Sequence, residues 1–145
     1  GTIDRAALEG FDAVVHLAGE NVFGRWTAAK KQRIRESRVA GTRLVSETIA
    51  GLARPPRVLL AASAVGYYGD QGAAQLTEQS PGGDDFLADV ARDWEAATAP
   101  ARQRGVRVAN LRFGVVLARS GGAAAVGRAK MHGCCSPRST TSPLL

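Results

Sequence analysis

The chain has 145 residues, of which 45% are hydrophobic, and a formal net charge of +6, which is enough material for one domain with a buried core. No run approaches the ~20 apolar residues of a membrane span and the first residues lack a signal-peptide pattern, so a cytoplasmic protein is expected. The only cysteines, Cys134 and Cys135, are adjacent, which excludes a disulfide framework and a zinc site of ordinary spacing.

The first half of the chain predicts a helical turn, a strand and a long helix. Residues 4–10 begin with an aspartate and end with glycine, as short helices do. Residues 11–17 form an apolar run that stops on small residues, which predicts a buried strand. Thr27 can cap a helix that runs toward Gly51, and the Pro55-Pro56 pair prevents any continuation.

This predicted helix lies in a strongly basic block of the sequence. Residues 25–57 sum to +7, whereas residues 58–105 sum to −4. The apolar residues among the basic ones recur mostly at helical spacing, which predicts one buried face and one solvated basic face. We favour this interpretation over a nucleic-acid-binding surface, which stays as an alternative, because no DNA or RNA motif and no aromatic platform accompanies the charge.

The second half predicts two more strands. Residues 57–63 form a strand, and the glycine-rich segment 67–83 is an irregular excursion long enough to be functional. Asp84 or Asp85 caps a helix that Pro100 ends or kinks. Residues 106–112 form the third strand, with 115–117 as a short continuation. The alternation predicts an α/β fold with a parallel sheet and right-handed helical crossovers.

Five blocks of sequence, taken together and in this order, resemble one protein family. They are VVHLAGE (14–20), RVAGTRLV (38–45), SAVGYYGD (63–70), LTEQSPGGDDFLADVARDWEAA (76–97) and RFGVVLARSGG (112–122). They are similar to atypical or extended short-chain dehydrogenases/reductases, and specifically to the NAD(P)-dependent epimerase/dehydratase-like proteins of the cell-division-inhibitor-like branch. The resemblance implies a Rossmann domain that binds NADP(H), with NADP favoured over NAD, and an unassigned small-molecule substrate.

The resemblance also implies a cofactor site on the strand ends. Its residues would be Leu17, Ala18 and Gly19 after the first predicted strand, and Ala62 and Ser63 at the end of the second. Small residues suit this role because backbone can approach a ribose and a nicotinamide where no side chain intervenes. Tight strand-to-loop turns, as in any α/β domain, are the alternative interpretation.

Two departures from the family pattern shape the expectation for function. No glycine-rich phosphate turn precedes the first predicted strand, and residues 123–145 lack helical or strand periodicity. We therefore expect residues 1–122 to be the central part of the Rossmann domain, without its first strands and without the C-terminal substrate part. Residues 123–145 are expected to be a disordered or aberrant tail, and the chain is expected to be inactive alone.

The catalytic positions of the family are also altered. Its Tyr-x-x-x-Lys pair, in which the lysine lowers the pKa of the phenol, falls on Phe86 and Val90. Ser63 and Tyr68 are the substitutes that we consider as catalytic residues, with simple packing as the alternative for the tyrosine. A non-catalytic nucleotide-sensing or interaction module is therefore the second hypothesis. No metal site is predicted, because the acidic residues at 84–93 suit a helix N-terminus.

Overall fold

Three parallel strands form a sheet in the order β1, β2, β3 in the computed structural model, which describes residues 2–116. The strands are β1 (Ala13–His16), β2 (Val58–Ala64) and β3 (Arg107–Phe113). Helix α1 (Ala28–Ala50) connects β1 to β2, and helices α2 (Phe86–Ala96) and α3 (Ala99–Gln103) connect β2 to β3. Short 3₁₀ turns lie at Ala6–Leu8 and Val65–Tyr68. The predicted α/β alternation is thus confirmed.

Helices α1 and α2 begin where the sequence provides a capping side chain. The Thr27 side chain accepts a hydrogen bond from the Lys30 amide, which starts α1, and the Asp85 carboxylate accepts one from the Ala88 amide, which starts α2. Asp85, and not Asp84, is therefore the cap. Pro100 lies in the first turn of α3, where its missing N–H costs nothing, so it separates two helices as predicted.

The strand register decides which side chains meet the helices. Val14 pairs with Leu59, which pairs with Val108, and all three pack in one cluster with Ile49 of α1 and Ala101 of α3. Because side chains alternate along a strand, their neighbours point to the opposite face of the sheet. On that face Val15 is 57% exposed and Phe113 is 46% exposed. In the described part of the chain, helices cover one face of the sheet; on the other face the edge residues Val15 and Phe113 are exposed, whereas Ala62 in the middle is 7% exposed.

Small polar residues let α1 approach the junction of α2 and α3. Ser46 is fully buried; its hydroxyl donates to the Thr98 carbonyl and accepts from the Ala101 amide. A buried serine satisfied on both sides closes the helix layer without leaving an unpaired polar group.

The boundaries differ from the predicted ones by one to three residues. The predicted helix at 4–10 is only the 3₁₀ turn, and β1 is shorter than the apolar run that predicted it. Residues up to Gly114 form one compact unit, and Val115 begins a second unit. Val115 and Val116 adopt no regular structure, and the predictions for Leu117 and for residues 123–145 lie outside the described residues.

Candidate functional site

The carboxyl ends of the three strands meet at one edge of the sheet, since all pairings are parallel. The loops that leave this edge are residues 17–27 after β1 and the long segment that opens with the turn Val65–Tyr68 after β2. In open α/β sheets, ligands bind outside this carboxyl edge. The residues predicted from sequence lie there.

The loop after β1 is exposed but firmly attached to α1. The Glu20 amide donates to Ser37 Oγ over 3.0 Å, and Arg38 Nη1 donates to the Glu20 carbonyl over 3.0 Å. The Glu20 carboxylate pairs with Lys30 Nζ at 2.7 Å, and this hydrogen bond lowers the pKa of Glu20. These three contacts of Glu20 join the loop to α1. The side chain of Leu17 is 62% exposed, and Ala18 and Gly19 are exposed beside it.

Gly19 has a local steric reason to be glycine. A Cβ at this position would lie 3.3 Å from the Arg38 guanidinium carbon, which is closer than ordinary van der Waals contact. The small residue thus lets Arg38 lie under the loop, where its guanidinium also lies 5.0 Å from the ring centroid of Trp94. The packing of Arg38 explains the glycine at least as directly as contact with a cofactor does.

Ala62 and Ser63 point to opposite faces of the sheet. Ser63 is 3% exposed and donates to Glu95 Oε1 of α2 over 2.7 Å, so its hydroxyl faces the helices. Ala62 is its neighbour on β2 and therefore faces the open side of the sheet. The structure brings Ser63 together with Tyr68 through shared partners, whereas Leu17, Ala18 and Gly19 lie beyond β1 at the other end of the edge.

Arg112 is the centre of a hydrogen-bonded cluster that includes both predicted catalytic residues. Its Nε and Nη2 donate to the two carboxylate oxygens of Glu95 at 2.8 and 2.9 Å, a bidentate pair. Its Nη1 donates to Tyr68 Oη at 2.7 Å, and its guanidinium lies 3.5 Å from the ring centroid of Tyr67. One cation thus fixes the Tyr68 ring directly and Ser63 through Glu95.

The charges of this cluster stabilise each other. Burial opposes the charge of Glu95, but the hydrogen bonds from Arg112 and Ser63 outweigh it, so the pKa of Glu95 is lowered. The hydrogen bond to Glu95 in turn raises the pKa of Arg112. Both groups stay ionised at neutral pH. Sequence reasoning did not single out Glu95 or Arg112, although an arginine at the end of an apolar predicted strand is a signal that a partner of opposite charge lies nearby.

His16 has a structural environment at the end of β1. It is 8% exposed, and its Nε2 lies 3.0 Å from Thr42 Oγ1, which accepts a hydrogen bond from Trp94 Nε1. The threonine hydroxyl can therefore donate its own hydrogen to the imidazole. Burial lowers the pKa of His16, in agreement with a neutral ring.

Phe86 and Val90, which stand at the tyrosine and lysine positions of the family pattern, cannot transfer a proton. Phe86 begins α2, where its ring meets Trp26 edge to face at a centroid distance of 5.8 Å and lies 5.0 Å from Lys31 Nζ. Val90 is 2% exposed and belongs to the core. Phe86 and Val90 therefore serve packing, and any proton transfer at this edge depends on other side chains.

A cavity of about 580 Å³ opens beside the Arg112 cluster, at the β3 side of the carboxyl edge. Its walls come from the turn after β2, the excursion that follows it, α2 and the second half of β3; the lining residues are Val65, Tyr68, Leu76, Thr77, Glu78, Glu95, Asn110, Leu111 and Arg112. Tyr68 and the Arg112 cluster thus face a space large enough for a small molecule.

Much of the positive charge of α1 is used within the molecule. Lys30 pairs with Glu20, Arg35 with Asp93 of α2, and Arg43 with Glu47. These ion pairs favour the interpretation of α1 as a solvated basic helix face.

Within residues 2–116, no helix is long and apolar enough to cross a membrane, and no group of three or more metal-binding side chains occurs.

The parallel sheet with helical crossovers and loops at its carboxyl edge is part of a Rossmann-type nucleotide-binding fold. The sequence profile of the NAD dependent epimerase/dehydratase family matches residues 2–128, so the chain belongs to this family, as the resemblance implied. An epimerase family protein of Mycobacterium tuberculosis is 45% identical over 125 residues, covering 84% of this chain and 40% of that protein. The chain spans about 40% of the length of the curated relatives it matches.

Solved structures agree with this membership. The human epimerase family protein, solved with NADPH, superposes with a TM-score of 0.75 at 36% identity and covers 82% of this chain and 41% of that one. A nucleoside-diphosphate sugar epimerase of Corynebacterium glutamicum superposes with a TM-score of 0.70 at 47% identity, covering 82% and 25% of the two chains. A UDP-glucuronic acid 4-epimerase of Bacillus cereus, in complex with NAD, shares the fold at 16% identity.

Proposed function

We propose that this chain is the central part of an NAD(P)-dependent oxidoreductase or epimerase-like protein whose substrate is a small molecule. The observation that carries the proposal is the loop after β1, which exposes the small residues Ala18 and Gly19 and is joined to α1 by hydrogen bonds at Glu20. A preformed backbone surface at the carboxyl edge of a parallel sheet suits the approach of a dinucleotide. The chain alone is not expected to catalyse the reaction, because it spans about 40% of its relatives.

The proposed contacts are those of two strand ends. Leu17, Ala18 and Gly19 would lie under the ribose and nicotinamide, and Ala62, on the open face of β2, would border them. Ser63 and Tyr68, which both belong to the Arg112 cluster, would be the catalytic residues. NADP is preferred over NAD in this proposal, since the human relative at 36% identity was solved with NADPH.

A binding experiment with a chimera tests the proposal. Residues 2–116 would replace the matching segment of the human relative, and NADPH and NADH binding would be measured by titration calorimetry. We expect the chimera to bind NADPH. Ala18→Leu, which adds bulk at an exposed position of the loop, should weaken NADPH binding about tenfold, as the loss of roughly 1.4 kcal/mol does.

Ala40→Leu is the matched control, because Ala40 is also an exposed alanine but lies within α1. It should leave NADPH binding unchanged. A folded chimera that binds neither dinucleotide would refute the proposal, and equal weakening by the two substitutions would refute the assignment of the loop.

A further inference from the structure

The cavity beside β3 has polar groups that the protein leaves unused, and they indicate what it binds. Arg112 is mostly engaged within the protein. Four of its five N–H hydrogens donate to Glu95, Tyr68 or the Glu78 carbonyl, and its guanidinium lies 3.5 Å from the Tyr67 ring centroid. The bidentate pair with Glu95 already neutralises its charge, so Arg112 does not make the cavity an anion site.

Tyr68 offers a hydrogen-bond donor. Arginine has no acceptor atom, so in the 2.7 Å contact with Arg112 Nη1 the phenol oxygen is the acceptor. The phenol hydrogen must therefore point elsewhere, and Tyr68 makes no other side-chain hydrogen bond within residues 2–116. Because Tyr68 is 8% exposed and lines the cavity, the cavity is where a partner for this hydrogen can sit.

Asn110 offers an acceptor. Its side-chain oxygen is buried and has no hydrogen-bond partner in the described part of the chain, although the residue lines the same cavity. A buried amide oxygen without a partner costs about 1 to 3 kcal/mol, so native proteins keep one where a ligand or water completes it. The amide torsion of asparagine is soft, and its rotation toward the cavity breaks no hydrogen bond of this oxygen.

The residues that line the cavity determine the polarity and charge of a ligand that would fit it. Val65, Leu76 and Leu111 are aliphatic, and the first two are 49% and 42% exposed, so they gain from contact with an apolar body. The charged groups of the lining are two carboxylates, Glu78 and Glu95, and one guanidinium. A negatively charged ligand is therefore repelled.

We propose that this cavity binds an uncharged alcohol with an aliphatic body, whose hydroxyl accepts from Tyr68 and donates to Asn110. This inference rests on the proposed function, since Tyr68 is one of the catalytic residues proposed there. The substrate is then a largely apolar alcohol or the matching carbonyl compound. The site lies on the β3 side of the carboxyl edge, and the loop proposed for the cofactor lies on the β1 side.

The chain allows a clean test by nuclear magnetic resonance. It contains two asparagines, Asn110 and Asn21, so ¹⁵N-asparagine labelling of the full chain gives two side-chain amide pairs. Asn21 lies in the exposed loop after β1 and is the internal reference. Cyclohexanol, cyclohexanecarboxylate and D-glucose are titrated without any dinucleotide. We expect cyclohexanol to shift the Asn110 signals with saturation and to leave Asn21 unchanged, whereas the other two compounds bind at least tenfold more weakly.

Two substitutions separate binding from folding. Tyr68→Phe should weaken cyclohexanol binding about fivefold to tenfold, the effect of one hydrogen bond, and Tyr67→Phe is the matched control that should not. Asn110→Leu should remove binding without lowering the urea midpoint of unfolding, because it deletes an unsatisfied oxygen. Stronger binding of the carboxylate or the sugar, or unmoved Asn110 signals with all three, would overturn the proposal. Because no dinucleotide is present, these outcomes are independent of the chimera experiment.

Discussion

The imidazole of His16 gives the fold a pH dependence that can be assigned to one residue. Burial lowers the folded-state pKa of His16 below its ordinary value of 6.5. Between the two pKa values the unfolded chain binds more protons than the folded chain, so the free energy of unfolding falls as the pH drops below 6.5 and is fully present above it. Urea unfolding between pH 5 and pH 8 should show this slope.

The second histidine, His132, provides the control for this measurement. His16→Gln should flatten the slope near pH 6, whereas His132→Gln should retain it. An unchanged slope in His16→Gln would show that other groups cause the pH dependence.

The ion pair of Arg112 and Glu95 should contribute more to stability than the ion pairs on α1. The side chains of Arg112 and Glu95 are 18% and 14% exposed, so Arg112→Met leaves a carboxylate with little water and without its cation. We expect a loss of about 3 kcal/mol in urea unfolding, the low end for a buried pair, because both side chains keep some contact with water. Arg43→Met, which removes an exposed pair with Glu47, should cost less than about 1 kcal/mol; equal losses would contradict the distinction.

Among the elements, the excursion between β2 and α2 is held by a close approach of two glycines. A Cβ on Gly83 would lie 2.7 Å from the Cα of Gly69 and 2.8 Å from the Tyr68 carbonyl, and neither backbone atom can move away easily. Gly69 itself has a φ of +65°, which favours glycine. This contact folds the excursion back over the Arg112 cluster and so forms one wall of the cavity.

Gly83→Ala should therefore destabilise the fold by about 1 to 3 kcal/mol, the range seen for overpacking. Gly41→Ala is the matched control, because Gly41 lies inside α1 and an added Cβ meets nothing within 4 Å. It should stabilise the fold by up to about 1 kcal/mol through helix propensity. Thermal unfolding measures both, and a harmless Gly83→Ala would refute the close contact.

At this scale the sequence predicted the elements well, because each one depends on local signals. Thr27, Asp85 and Pro100 mark helix ends through capping and backbone geometry that a few residues determine. The apolar runs predicted all three strands, and their alternation with helices predicted parallel pairing. The Arg112 cluster could not be predicted in this way, since it joins residues from β2, the turn after it, α2 and β3.

The candidate site was predicted only as a set of positions. Leu17, Ala18 and Gly19 follow from the strand end and the resemblance, and their role stays a prediction. The direction of Ser63 could not be known beforehand, because it depends on the pairing register of β2, which a continuous apolar run does not reveal. A shift of one residue would place its hydroxyl on the open face.

For the whole molecule, the open face of the sheet predicts self-association. Parallel sheets are normally covered on both faces, and Val15 and Phe113 are exposed apolar residues on the face without helices. We expect the chain to associate with rising concentration in sedimentation velocity experiments. Phe113→Thr should reduce this association, whereas Phe23→Thr, at a similarly exposed phenylalanine in the loop after β1, should not. A monodisperse monomer across the concentration range would contradict the prediction.

The attachment of the loop after β1 to α1 has a kinetic consequence. Ser37 and Arg38 order this loop when the chain folds. The entropic cost of ordering the loop therefore does not weaken the binding of a ligand. Association at this loop should then be a single step whose observed rate rises linearly with ligand concentration and does not level off. If Arg38 no longer held the loop, ligand binding would become a two-step process limited by loop closure.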